Sequence, residues 1–146
     1  MLSFEHQYWH EHPGARLAGI DEAGRGPLAG PVVAGAVSMP IALAEALYSS
    51  SLAKLTDSKQ LSETDRRRFL EILSGTDGVE IGVGIAEPAE IDEINILRAT
   101  HAAMGRAVSA LPSGVPDHAL VDGLPVRGLP CPSTAIVKGD AKSFLI

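Results

Sequence analysis

Short apolar runs separated by glycine- and proline-bearing turns organise this chain, and their periods predict its elements. Arg16-Leu17-Ala18-Gly19-Ile20-Asp21 predicts a strand, and Pro31-Val32-Val33-Ala34-Gly35-Ala36-Val37 predicts a second, buried one after a Gly/Pro turn. Ser62 to Ser74 (SETDRRRFLEILS) predicts a helix, with Ser62 as N-cap, Asp65 in a capping-box-like position and Phe69, Leu70 and Leu73 as its buried face. Val79 to Ala86 (VEIGVGIA) predicts a third strand. From Pro88 to Leu111 the pattern turns helical: Ile94, Leu97, His101, Met104, Val108 and Leu111 recur at spacings of three and four and so share a face. Asn95 is placed to cap the main part of that region. Ala119-Leu120-Val121-Asp122 and Thr134-Ala135-Ile136-Val137 predict two further strands. The order strand, strand, helix, strand, helix, strand, strand implies an α/β fold with a mixed sheet under helical cover.

Composition sharpens this picture only in places. The 146 residues suit one domain, 45% are hydrophobic, and aromatics at 4% make the core aliphatic. The lone Cys131 excludes an internal disulfide and fits a reducing compartment. No apolar run reaches membrane-spanning length, and the N-terminus lacks the basic-then-apolar order of a signal peptide, so a cytoplasmic protein is expected. Residues 1–15 are polar and are expected to form a loosely held segment preceding the domain over 16–146. His6, His10 and His12 lie near one another there, without any further ligand pattern. The chain ends on Phe144-Leu145-Ile146, residues that normally belong inside a fold, and the domain is expected to continue past them.

A net charge of −6 argues by itself against a phosphate-bearing partner. Carboxylates that hold divalent cations reverse that argument, because the ions present positive charge. Three predicted strands end in acids: Asp21 with Glu22, Asp122, and Asp140 shortly after the last strand. Strand ends on one side of such a sheet form the crevice where ligands bind. Four carboxylates gathered there would have strongly raised pKa values unless cations neutralised them. Oxygen donors of this kind suit Mg²⁺ or Mn²⁺, and two such ions suit phosphodiester chemistry. Taken singly, Asp122 and Asp140 read as ordinary turn residues. Adjacent strand residues face opposite ways, so Glu22 must leave the strand or offer its main-chain carbonyl to share a site with Asp21.

Gly24-Arg25-Gly26-Pro27-Leu28-Ala29-Gly30 also approximates a dinucleotide-binding glycine loop. That reading needs a helix after the loop, where Pro31 to Val37 predicts a strand, and it would bring more negative charge to two acids. Close backbone approach to a nucleic-acid sugar and phosphate, with Arg25 as a charge-assisted donor, uses the loop better.

The stretch GIDEAGRGPLAGPVVAGAV resembles the N-terminal signature of the ribonuclease HII family. The resemblance continues through Leu55-Thr56-Asp57-Ser58-Lys59-Gln60-Leu61-Ser62, Glu90 to Thr100 (EIDEINILRAT), Leu120-Val121-Asp122-Gly123 and Val137-Lys138-Gly139-Asp140. It implies a ribonuclease H-like mixed five-stranded sheet flanked by helices, lacking here the C-terminal helical part. It implies a monomeric endoribonuclease that cleaves RNA in RNA–DNA hybrids and incises duplex DNA at embedded ribonucleotides, leaving 3′-hydroxyl and 5′-phosphate ends. The family's catalytic and metal-binding carboxylates fall on Asp21, Glu22, Asp122 and Asp140. In the expected arrangement Asp21 bridges two Mg²⁺ or Mn²⁺ ions, Asp122 and Glu22 complete one side, and Asp140 positions the other ion. The family's Gly-Arg-Gly motif falls on Gly24, Arg25 and Gly26 and is expected to sense the ribose 2′-hydroxyl. Ser58 and Lys59 match a motif that contacts backbone phosphate. The family's junction tyrosine has no counterpart, since neither Tyr8 nor Tyr48 sits at its place. The alternative is a fragment that binds metal or nucleic acid without turnover.

Overall fold

The computed structural model describes residues 2–24, 30–50, 52 and 61–146. Its elements run α1 (Ser3–Glu11), β1 (Leu17–Ala23), β2 (Val32–Ser38), α2 (Ile41–Tyr48), α3 (Glu63–Ser74), β3 (Glu80–Ala86), α4 (Pro88–Ile94), α5 (Ile96–Ser109), β4 (His118–Asp122) and β5 (Ser133–Ile136). A 3₁₀ turn over Gly139–Ala141 follows. The strands form one five-stranded mixed sheet in the order β3-β2-β1-β4-β5. β1 pairs antiparallel with β2 and parallel with β4, and β4 pairs parallel with β5. Every predicted strand is present to within a residue or two at its ends. Because Val32–Ser38 is a strand, the dinucleotide-binding reading of the preceding glycine loop is removed.

Strand alternation divides the core into two. Ala18 and Ile20 of β1, Val32, Ala34 and Ala36 of β2, and Ala119 and Val121 of β4 face α5. Leu17, Leu120 and Ile136 face the other way, into a cluster closed by Leu2, Trp9, Phe69, Phe144 and Leu145. On the first face α5 lies close against β3. A methyl group at Gly82 or Gly84 would overlap the carbonyl oxygen of Ala107 or Ala103, so only glycine permits this approach.

That approach explains where the helical prediction drifts. The buried face of α5 is Ala99, Thr100, Ala103, Met104, Ala107 and Val108, while Leu97 is 51% exposed and His101 is half-buried. Small residues, not the largest ones, set the contact, because backbone-to-backbone proximity excludes bulk. The predicted long helix is also split. Asn95, with φ of 73°, ends α4 and caps α5 by accepting a hydrogen bond from the Arg98 N–H at 3.0 Å. The cap on α3 is present as expected, with the Ser62 hydroxyl accepting from the Asp65 N–H at 3.0 Å. On α3, Phe69 is buried and Leu73 partly so, but Leu70 is 57% exposed, and Ile72 packs inward with them.

Two helices fall outside the sequence expectations. Ile41–Tyr48 forms α2 after Pro40, where no prediction was made. Ser3–Glu11 forms α1, which corrects the expectation of a loosely held segment. Leu2, Glu5 and Trp9, spaced by three and four, turn one face of α1 inward, and Trp9 is 6% exposed. The middle residue of that stripe is an acid, so the pattern reads as polar.

Candidate metal centre

The parallel pairing of β1 and β4 places Ile20 beside Val121, so the next residue on each strand, Asp21 and Asp122, stand side by side where the pair ends. Both share the strand parity of residues that face away from α5, Leu17 on β1 and Leu120 on β4. The third acid arrives from β5. After Ile136 the chain turns at Lys138, which adopts a left-handed φ of 55°, and enters the 3₁₀ turn that carries Asp140. Gly139 brings this turn onto β4, since a Cβ there would lie 3.3 Å from the Asp122 Cα and Oδ1. The Asp140 N–H donates to Asp122 Oδ1 at 3.3 Å. One carboxylate oxygen each from Asp21, Asp122 and Asp140 then lies within 4.8 Å of the others, all three residues half-buried.

The electrostatics of this cluster are those of a cation site. Burial pushes the Asp21 carboxyl from its ordinary 3.8 up to about 7, against the opposing effect of the Glu22 N–H, which donates to Asp21 Oδ1 at 2.8 Å. The charges of Asp122 and Glu22, and a hydrogen bond shared with Asp122, raise it further. A proton is held where a positive charge is wanted, and a divalent ion coordinated by all-oxygen donors satisfies the same need. The three residues therefore fit Mg²⁺ or Mn²⁺.

Glu22 is not one of the three. β1 continues unbroken to Ala23, with Glu22 paired to Ala34, so the alternation of the strand sends its side chain away from that of Asp21. Gly24 follows directly, with φ of 93° and no room for a Cβ beneath the Pro31 carbonyl, at the same end of the sheet. Arg25, Gly26, Ser58 and Lys59 lie outside the described residues. The N-terminal histidines stand apart from the cluster: His6 Nε2 lies 3.0 Å from Glu45, and the Tyr8 ring stacks between His12 and His118. His101, on the predicted helical face, is half-buried, and its Nδ1 accepts from the Arg127 N–H at 3.4 Å. Cys131 packs against the α5 face, and burial raises its thiol pKa, in keeping with a filler. Among the described residues no helix is long and apolar enough to cross a membrane.

Comparison with known proteins agrees with the sheet. The family model for ribonuclease HII matches residues 18–146. The ribonuclease HII of Rhodospirillum rubrum is 53% identical over 91% of this chain, and that of Maricaulis maris is 53% identical over 90%. The chain spans 59% and 56% of the lengths of these two relatives. The crystal structure of ribonuclease H2 from Pyrococcus horikoshii superposes with a TM-score of 0.69 at 27% identity, covering 89% of this chain and 66% of that one.

Proposed function

This chain belongs to the ribonuclease HII family, and from that premise we propose that it carries the catalytic centre of a metal-dependent endoribonuclease. The substrates are RNA–DNA hybrids and duplex DNA with embedded ribonucleotides, cut to leave 3′-hydroxyl and 5′-phosphate ends. One observation carries the reading: acids from β1, β4 and the turn after β5, far apart in sequence, converge within 4.8 Å.

Asp21, Asp122 and Asp140 would hold the ions. Bound there, two divalent ions supply a nucleophile at neutral pH and neutralise charge on the leaving oxygen. With its pKa pushed up to about 7, the Asp21 carboxyl would hold a proton more readily than an ordinary aspartate, and a bound cation would favour its charged form. Glu22, kept in the strand, contributes through its main-chain carbonyl. Gly24, Arg25 and Gly26 sense the ribose 2′-hydroxyl. Ser58 and Lys59 contact backbone phosphate. The protein acts as a cytoplasmic monomer.

Incision of a DNA duplex carrying one ribonucleotide, assayed with Mg²⁺, with Mn²⁺ and with chelator, tests the reading. Metal-dependent cutting at the ribonucleotide is expected. Replacing Asp122 with Asn should lower the rate by about a thousandfold or more, the scale of losing one group that acts on transition-state charge. Undiminished cutting by that variant would remove the assignment. The chain spans 59% and 56% of the lengths of these two relatives, and the second reading is a chain that binds metal or nucleic acid without turnover. Duplex binding with no cutting, from folded and monodisperse protein, would establish it.

A further inference from the structure

We propose that Glu5 is a positioning residue for Asp140, so that the N-terminal helix completes the metal centre from outside the residues matched by the family. The inference rests on the reading of Asp140 as a metal ligand.

Glu5 is fully buried, and a carboxylate is kept in such a place only where donors meet it. Its Oε1 accepts two hydrogen bonds from one distant segment, from the Ser143 hydroxyl at 2.5 Å and from the Leu145 N–H at 3.0 Å. Ser143 is itself fully buried. Leu2 and Trp9, on either side of Glu5 along the same stripe, are buried as well, so the helix is docked and does not merely lean on the surface.

The segment that Glu5 grips is the one that carries Asp140. The Ser143 N–H donates to the Gly139 carbonyl at 2.7 Å, closing the turn around Asp140 and Ala141. Gly139 in turn abuts the Cα and Oδ1 of Asp122. Further along, the Leu145 backbone lies directly over Gly19, where any side chain would overlap its carbonyl carbon, and Gly19 is two residues before Asp21. The approach to Asp140 is fixed by β5 and the left-handed Lys138, and the exit is fixed by Glu5. Without Glu5 the exit keeps the packing of Phe144 and Leu145 but loses the acceptor that ties Ser143 and Leu145 together.

The second Glu5 oxygen, Oε2, is buried and accepts no hydrogen bond among the described residues. A contact serving stability alone is better made by an apolar side chain of the same volume, which leaves no oxygen unmatched. A carboxylate here supplies what an apolar group lacks, one acceptor that gathers two donors and sets the path between them.

The test is Mn²⁺ binding by calorimetry in the absence of nucleic acid, on the whole chain, at a temperature where circular dichroism shows each variant folded. Glu5→Ala and Ser143→Ala should bind Mn²⁺ about tenfold more weakly, the lower end of what loss of a partner behind a ligand costs. Glu5→Gln keeps an oxygen acceptor and should stay close to the parent. His6→Ala breaks only the surface pair with Glu45 and should leave binding unchanged. Hydrogen exchange should show faster exchange over residues 140–145 in Glu5→Ala. Parental affinity in folded Glu5→Ala, or in Ser143→Ala if Glu5→Ala does not fold, would overturn the proposal. So would a loss in Glu5→Gln as large as in Glu5→Ala, or a parent chain that binds no Mn²⁺. An Asp140→Asn control separates the two ideas. If it binds as the parent does, the metal-ligand reading of Asp140 falls; if it binds weakly while Glu5→Ala does not, only the Glu5 inference falls.

Discussion

The two faces of the sheet are built on opposite plans. The α5 face is mostly alanine, packed against glycines of β3 so closely that helix and strand backbones nearly touch. The other face is filled by Leu17, Trp9, Phe69, Phe144 and Leu145, drawn from the ends and middle of the chain. It is also open in places, with Val83 and Ile85 of β3 exposed at 53% and 44%. The first face is made by one helix against four strands and has no room for a methyl group at Gly82 or Gly84. The second is assembled from several pieces, and it is the one that carries the acids. The backbone-to-backbone packing lies between α5 and β3, while the acids stand on the face that is more open.

The sharpest way to break this comparison is to add one carbon to each face. Gly84→Ala on the α5 face should lower unfolding free energy by about 3 kcal/mol, at the upper end of overpacking costs, because main chain and not a movable side chain blocks the methyl. Thermal or urea unfolding reads it directly. A neutral result would mean that α5 rides more loosely than the glycines imply.

The open face should respond to pH instead. The Asp21 pKa of about 7 in the folded chain exceeds its ordinary 3.8, so between those values the folded state binds more protons than the unfolded one. Its contribution to metal-free stability is therefore complete below the lower value and lost as pH rises through the upper one. Melting temperature followed across that window should fall for the parent and fall less for Asp21→Asn. Mn²⁺ binding should show the converse, weakening below neutral pH as protons compete. Parallel pH profiles for parent and variant would contradict the cluster's electrostatics.

Gly35→Ala places the matching carbon on the open face, where nothing lies within 4 Å of the new methyl. It should be neutral or stabilising by about 0.5–1 kcal/mol, since an interior strand glycine carries an entropic cost. The smallest effect belongs to Leu70, the residue of α3 that the helical pattern misassigned. Leu70→Gln should change stability by no more than about 0.5 kcal/mol, because the side chain already meets water. A larger loss would show that Leu70 has a packing partner.

How far the chain could be read depended on how local each feature is. The Ser62 cap on α3 and the Asn95 cap on α5 were legible because a cap is settled within a few residues. The strands were legible from alternation and runs. Leu97 was misplaced because periodicity identifies a stripe by size, whereas the sheet packs against the alanine edge of α5, and on α3 the buried side runs through Phe69, Ile72 and Leu73 and leaves Leu70 exposed. Helix α1 escaped notice because Glu5 interrupts its apolar stripe, and the partners that make burial of that acid acceptable, Ser143 and Leu145, are at the far end of the chain.

The sequence alone determined that Asp21, Asp122 and Asp140 close or follow strands, because apolar runs that end in acids are visible residue by residue. It also determined the family, through ordered motifs from β1 to the last acid. Only the tertiary structure decided that these three acids converge: Asp21 meets Asp122 through parallel strand pairing, and the turn after β5 brings Asp140 to both, while an unbroken β1 keeps Glu22 paired to Ala34. Only it decided that the first helix reaches the turn bearing Asp140. Pairing register and docking depend on residues a hundred positions apart, and no local pattern carries that information.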